Sequence, residues 1–325
     1  MRRIALLLVL LVVVAACGAE TQSTSSTIDS TTTSADSSTT TSLETTTTVD
    51  DRFPVTVTAA NGEVEIATQP EAIVSLSPSA TENLFAVGAG DQVVAVDDQS
   101  NYPDEAPTTD LSGFTPNLEA ILEFEPDLVV VTFDPGDLIA GLEAVGVPVL
   151  LLPSATSVED AFAEIEILGA ASGHAVEAGE IVAEMEAGLE AIVAEVGEQI
   201  AGTTIYHEVD STLYSVSSSS YVGELYEMLG LVNIADEADP DGFGYPQLSA
   251  EYIVAEDPDV ILLADAGYGE SIDTLRARPG WAGMKALQQE SVIEIDPDLA
   301  SRWTPRSVDF LRSVAEQIAA LVTVG

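Results

Sequence analysis

The sequence predicts an α/β protein built as two similar lobes, each around a mostly parallel sheet. Three observations lead there. Short apolar runs alternate with amphipathic helical stretches, the signature of parallel strands covered on both faces. A pattern seen in NLEAILEFEPDLVVV (117–131) returns in SAEYIVAEDPDVILL (249–263). A long stretch of helical periodicity separates the two copies.

Taken in order, Arg2 and Arg3 precede an apolar run over 4–16. A basic segment and a short apolar core form an export signal, and this core is too short for a standard membrane-spanning helix. Val14, Ala15, Ala16 and Cys17 resemble a bacterial lipobox, whose cleavage leaves the cysteine as an acylated first residue. Cys17 is the only cysteine, so it forms no intramolecular disulfide. Several acyl chains on one residue would anchor an otherwise soluble protein. Residues 1–16 are therefore read as signal peptide and 17–52 as the lipidated cysteine with a Ser/Thr-rich disordered tether. That stretch has almost no apolar side chains with which to offset the entropy of ordering.

From residue 53 onward, some 270 residues can build one large or two smaller cores. VTVTAANGEVEIA (55–67) alternates as a hairpin turning at Asn61 and Gly62. Strands follow at 72–77, 92–97, after the Pro-Asp pair at 126–127, and at 147–153. In the repeat, Glu119 aligns with Glu251 and Pro126 with Pro258. The boundaries are an N-terminal lobe at 53–156, a linking helix at 157–200 interrupted around Gly173 and His174, and a C-terminal lobe at 201–325. A helical link restricts lobe motion more than a loop would.

The formal charge is −46, from 55 acidic and 9 basic residues. Nucleic acid and anionic lipid are disfavoured as ligands, because phosphate contacts need Lys and Arg. A saline habitat would soften the self-repulsion.

One carboxylate poses a question. In SLSPSATENLFAVGAG (75–90), Ser79 to Glu82 has the S-x-x-E form of a capping box at the start of an apolar helix. The segment SSSSYVGELYEMLGLVN (217–233) mirrors it, with Glu224 in the first turn. One such glutamate per lobe is the pattern of a surface docking across two matching partners, and capping and docking are compatible.

These stretches, with the Pro-Asp repeats and the closing WTPRSVDFLRSVAEQI, resemble the substrate-binding proteins of metal-chelate ABC importers, the family of vitamin B12, siderophore and haem binders. The resemblance implies two Rossmann-like lobes joined by one long backbone helix, with ligand in the interlobe cleft. It also implies that Glu82 and Glu224 form salt bridges with arginines of a permease dimer, and that the monomeric protein is lipid-anchored on the extracytoplasmic face of the cell membrane.

Open sheets bind at the carboxyl ends of their strands. Tyr102, Phe133, Tyr245, Tyr268 and Trp303 are aromatics from those loops able to stack on a flat chelate, with ordinary packing the competing reading for each. Arg302 precedes the last helix and would contact ligand oxygens, or else a surface carboxylate. His207 is the candidate axial ligand to a chelated metal, against a role as a hydrogen-bonded cleft wall. No cofactor and no protein-built metal site is expected, since the two histidines have no ligand cluster near them. An enzyme is not expected either: no G-x-G-x-x-G, Walker loop or G-x-S-x-G motif occurs. The scarcity of cleft arginines argues against anionic catecholates, leaving a cobalamin-like corrinoid first, a ferric hydroxamate next, and haem as a further possibility. A surface scavenger or sensor that does not deliver its ligand is the alternative role.

Overall fold

The antiparallel hairpin of β1 (Val55–Ala59) and β2 (Gly62–Ile66) turns at residues 60 and 61 and stands at the edge of the first lobe. The computed structural model describes residues 52–324. The export signal, Cys17 and the tether up to residue 51 lie outside the described residues.

The first sheet is assembled from β3 (Ile73–Leu76), β4 (Val93–Val96), β5 (Leu128–Val131) and β6 (Val149–Leu151) in the order β4-β3-β5-β6, all parallel. Between them run α1 (Pro78–Ala86), α2 (Leu118–Leu122) and α3 (Leu138–Glu143). The pleat sends alternate residues to opposite faces. Ile73, Leu128, Val130 and Leu150 meet Leu84 of α1, while Val74, Val129, Val131 and Val149 meet Ile121 of α2 and Leu142 of α3.

Two helices follow, α4 (Val158–Ser172) and α5 (Ala175–Ile200). The link read over 157–200 with an interruption around Gly173 and His174 is two separate helices in the structure. Gly173 adopts φ +86°, a left-handed conformation that glycine reaches without strain, and the chain reverses so that α4 lies against α5. The long helix joining the lobes is α5 alone, 26 residues and about 39 Å at 1.5 Å per residue. Its Met185 is in the core of the first lobe, and its Leu189 and Ile192 are in that of the second.

The second sheet repeats the first strand for strand. β7 (Thr204–Glu208), β8 (Val232–Asn233), β9 (Val260–Leu263) and β10 (Val292–Glu294) run parallel in the order β10-β9-β7-β8, so β7 takes the place of β3 and β9 that of β5. The helices here are α6 (Tyr221–Met228), α7 (Ala250–Glu256), α8 (Ile272–Ala277), α9 (Lys285–Gln288), α10 (Pro297–Ser301) and α11 (Ser307–Val324). Ile205, Val260, Leu262 and Ile293 pack on α6 and α11, while Tyr206, Ile261 and Leu263 pack on Ile253, Leu275 and Trp281. The architecture is two Rossmann-like lobes joined by a long helix, as predicted. No helix among the described residues is long and apolar enough to cross a membrane.

Candidate functional site

Both sheets direct the carboxyl ends of their strands at one cleft of about 440 Å³. From the first lobe, the chain leaving β3 contributes Ser77, Pro78 and Ser79, that leaving β5 contributes Thr132, and that leaving β6 contributes Ser154, Ala155 and Thr156. Ser77 and Thr132 flank the point where the crossovers change direction, where open sheets place their ligands. From the second lobe come Ser219 and Ser220, Phe243 and Tyr245, and Asp298 to Trp303 of the segment containing α10.

The capping of α1 differs from expectation. Ser77, in extended backbone, accepts from Ala80 N, and Pro78 occupies the first helical position, where its missing N–H and fixed φ are favourable. Ser79 is therefore inside the helix, and no capping box joins it to Glu82. In the second lobe Ser220 caps α6 by accepting from Gly223 N. Gly223 lets that helix sit against its own approach loop, since a Cβ there would lie 1.9 Å from the Ser217 carbonyl oxygen. Two helix starts thereby face one cleft rich in serine and threonine hydroxyls.

Of the seven expected ligand-binding residues, four come together at the cleft and three, Tyr102, Tyr268 and His207, do not. Tyr245, Trp303 and Arg302 line the cleft, and Phe133 stacks at 5.9 Å on Phe114, which also lines it. Arg302, however, is 5% exposed and is held on all sides: 2.7 Å to Glu82 Oε1, 2.7 Å to Asn101 Oδ1, 3.1 Å to the Gln99 carbonyl and 3.1 Å to Asp298. Its donors serve the fold before any ligand arrives. Tyr102 lies outside the cleft lining, beneath the Arg306 guanidinium at 4.0 Å in a side pocket with Phe85 and Pro305. Tyr268, at 86% exposure, projects into solvent outside the cleft. His207 is buried in β7, Nδ1 3.0 Å from the Tyr226 hydroxyl, and burial lowers its pKa to about 3. A strand residue on the core side cannot reach a ligand, so the axial-ligand role for His207 is not supported.

The two glutamates read as docking groups are both engaged inside the protein. Glu82 is 3% exposed. Its carboxylate accepts from Arg302 (2.7 Å), Arg306 (2.9 Å) and the Thr304 hydroxyl (2.9 Å), tying α1 of the first lobe to the chain entering α11. Glu224 Oε2 accepts from Val158 N at 2.6 Å, so it caps α4 from α6. Neither stands out as a knob on the surface. The pair that does is Glu119 and Glu251, exposed in the first turns of α2 and α7.

Phe114 and Phe243, 68% and 75% exposed, are the cleft aromatics that sequence reasoning passed over. Each sits in a short Gly- and Pro-flanked loop, SGFTP and DGFGYP, and a large aromatic held in such a loop is the signal that could have found them. The charged side chains lining the cleft are Arg302 and Asp298, which pair with each other. Despite the charge of −46 on the whole chain, the cleft is electrostatically balanced. Among the described residues, no group of three or more His, Cys, Asp or Glu is arranged to hold a metal ion.

Two parallel sheets that meet at one cleft, with a helix contributing to the core of each lobe, are the architecture of a solute-binding protein. The family model described as "Periplasmic binding protein" matches residues 73–299, and the chain belongs to that family, whose members bind solutes and are not enzymes. An uncharacterized ABC transporter substrate-binding lipoprotein of Bacillus subtilis, YvrC, is 31% identical over 82% of this chain and 86% of its own length. A cobalamin-binding protein of Halobacterium salinarum is 31% identical over 69% of this chain and 61% of its own length. Among solved structures, the periplasmic haem-binding protein RhuT of Roseiflexus superposes with a TM-score of 0.70 at 25% identity, covering 78% of this chain and 99% of that one.

Proposed function

We propose that the protein captures a metal chelate of balanced charge, a cobalamin-like corrinoid first, between its lobes and delivers it to an ABC permease. The carrying observation is the cleft itself: aromatic lips from Phe114, Phe243, Tyr245 and Trp303 around a hydroxyl-rich floor, with its one arginine already paired. Such a surface suits a large, coordinatively saturated ligand with apolar faces and an amide or hydroxyl rim. A strongly anionic catecholate would meet no uncompensated cation there, and no histidine among the described lining residues is placed to ligate haem iron. The cobalamin-binding name of the H. salinarum relative supports the same class.

The deciding experiment mixes the domain from residue 53 onward with cyanocobalamin, a ferric hydroxamate and haemin in turn, removes free ligand, and assays absorbance and metal. Retained cobalt with the corrinoid spectrum is the expected result. Retained iron alone replaces the ligand and keeps the transport role.

Anchoring through Cys17 on the extracytoplasmic face accords with the lipoprotein name of the B. subtilis relative. For delivery, the docking assignment passes from Glu82 and Glu224 to Glu119 and Glu251. These are equivalent in the repeat, each precedes a Pro-Asp pair and a sheet strand, and each is free in the first turn of its helix. One exposed carboxylate per lobe matches a partner with two equivalent basic sites. Glu119→Lys with Glu251→Lys is expected to abolish uptake while leaving ligand retention intact. Unchanged uptake would remove Glu119 and Glu251 from the docking role, and uptake unaffected by deleting the whole protein would point to a scavenger or sensor that does not deliver.

A further inference from the structure

Trp303 meets the cleft with part of its ring and the protein interior with its N–H. That N–H donates to Glu164 Oε2 at 2.6 Å. Glu164 lies on α4, buried at the seam between the lobes. Asn83 of α1 reaches both ends of this contact: its Nδ2 donates to the Trp303 carbonyl at 3.3 Å, and its amide is within hydrogen-bonding reach of the Glu164 carboxyl.

Two oxygens in this group, Glu164 Oε1 and Asn83 Oδ1, are buried and have no hydrogen-bond partner. Both are acceptors as an ionised carboxylate and an amide carbonyl, and two buried unsatisfied acceptors are costly. A proton on Glu164 removes the charge, whose burial with one oxygen unpaired is the larger cost.

We propose that Glu164 is a positioning residue that acts as a neutral carboxylic acid, accepting from the Trp303 indole at the buried seam, and so fixes the Trp303 wall of the ligand cleft. The claim rests on the reading of that cleft as the ligand site only for its consequence in binding; the proton itself is a property of the ligand-free protein.

The surroundings agree. Burial pushes the Glu164 carboxyl up to about 8, with the hydrogen bonds from Trp303 and Asn83 opposing that rise. The charged groups on the neighbouring elements have partners of their own. Glu82 on α1 is held by Arg302 and Arg306 of the adjoining segment, Glu224 on α6 caps α4, and Asp160 on α4 itself accepts from Thr156 and Ser157. Glu159 and Glu166 of α4 and Glu177, Glu180, Glu184, Glu186 and Glu190 of α5 are exposed to water. Among the described residues, no salt bridge reaches Glu164.

The test uses Trp303 as its own reporter. The chain has two tryptophans, and Trp281→Phe silences the other, whose N–H has no partner to lose. In that background, ligand-free Trp303 emission is expected to titrate with a midpoint near pH 8. Glu164→Gln, which preserves one acceptor and one donor, is expected to hold the low-pH spectrum throughout. Should that variant fail to fold, Asn83→Ala decides: removing the amide whose hydrogen bond favours the ionised carboxylate moves the midpoint up. A flat emission from pH 6 to 10 in the parent, the same transition in Glu164→Gln, or a midpoint moving down in Asn83→Ala would each overturn the proposal. Cyanocobalamin titrated at pH 6.5 and 9.5 gives the second reading: several-fold weaker binding at the higher pH in the parent and no change in Glu164→Gln. Absence of binding at both pH values counts against the corrinoid assignment, and the ligand-free titration then judges Glu164 alone.

Discussion

Glu82 and Arg302, 220 residues apart in the chain, meet with Oε1 2.7 Å from Nη1, and both are buried. The contact joins α1 of the first lobe to the segment leading into α11, and Arg306 and Thr304 complete the shell around the carboxylate. Removing one partner of a buried, hydrogen-bonded pair leaves an uncompensated charge, at a cost of about 3–5 kcal/mol. Glu82→Gln and Arg302→Met are each expected to lower the unfolding free energy read from urea melts by an amount in that range. The double variant should lose much less than their sum, a coupling that a double-mutant cycle reads directly.

The balance of charge in the cleft leaves aromatic contact to supply affinity. Phe243→Ala and Tyr245→Ala are each expected to weaken chelate binding about tenfold, the effect of one good aromatic contact. Tyr268→Ala, at a side chain outside the cleft, is expected to leave it unchanged. Equilibrium dialysis with cyanocobalamin separates the two cases.

His207 and Glu164 impose opposite pH dependences on stability. The folded state keeps His207 neutral down to about pH 3, against 6.5 unfolded, so the unfolded chain binds the extra proton and stability falls as the pH drops below 6.5. Glu164 stays protonated up to about pH 8, against 4.5 unfolded, so the folded state binds the extra proton and stability falls as the pH rises above 4.5. One proton changes stability by about 1.4 kcal/mol per pH unit. The two slopes oppose each other between 4.5 and 6.5, while Glu164 acts alone from 6.5 to 8. Thermal melts are expected to show a decline in that upper window that Glu164→Gln removes, and a fall below pH 4.5 that His207→Gln lessens, the rest coming from carboxylates such as Asp160 and Asp259 that are held below their usual range.

A formal charge of −46 makes self-repulsion a global term. The Debye length shrinks from ~10 Å at 0.1 M salt to ~3 Å at 1 M. The melting temperature is expected to rise with sodium chloride over that range, and a flat response would mean that the carboxylates are spaced widely enough not to interact.

Much of this was legible in the chain. The alternation of short β-rich runs with helices specified two parallel sheets, and the match of Glu119 with Glu251 foretold that β7 to β10 would repeat β3 to β6. What sequence could not supply was long-range pairing. Glu82 has the look of a capping residue because its neighbours are local, while its actual partners lie more than two hundred positions away. The capping error had a local remedy, since proline at a first helical position designates Ser77 rather than Ser79. His207 was ambiguous for another reason: a strand end places alternate residues in the core or toward the cleft, and one residue of register decides between them. Arg302 lies in the cleft lining, but rarity of basic residues reads equally as a ligand contact or as a scarce structural cation.

The clamp formed by residues 302–306 also sets an order of events. The first lobe is contiguous in sequence and is synthesised well before this segment, yet the carboxylate of Glu82 is buried only against Arg302 and Arg306. Until the last part of the chain arrives, α1 carries an unpaired charge on a surface destined for the interior. A nascent chain stopped short of residue 306 would thus present a weakened α1 to proteases, and completion of the polypeptide, more than closure of either sheet, seals the first lobe.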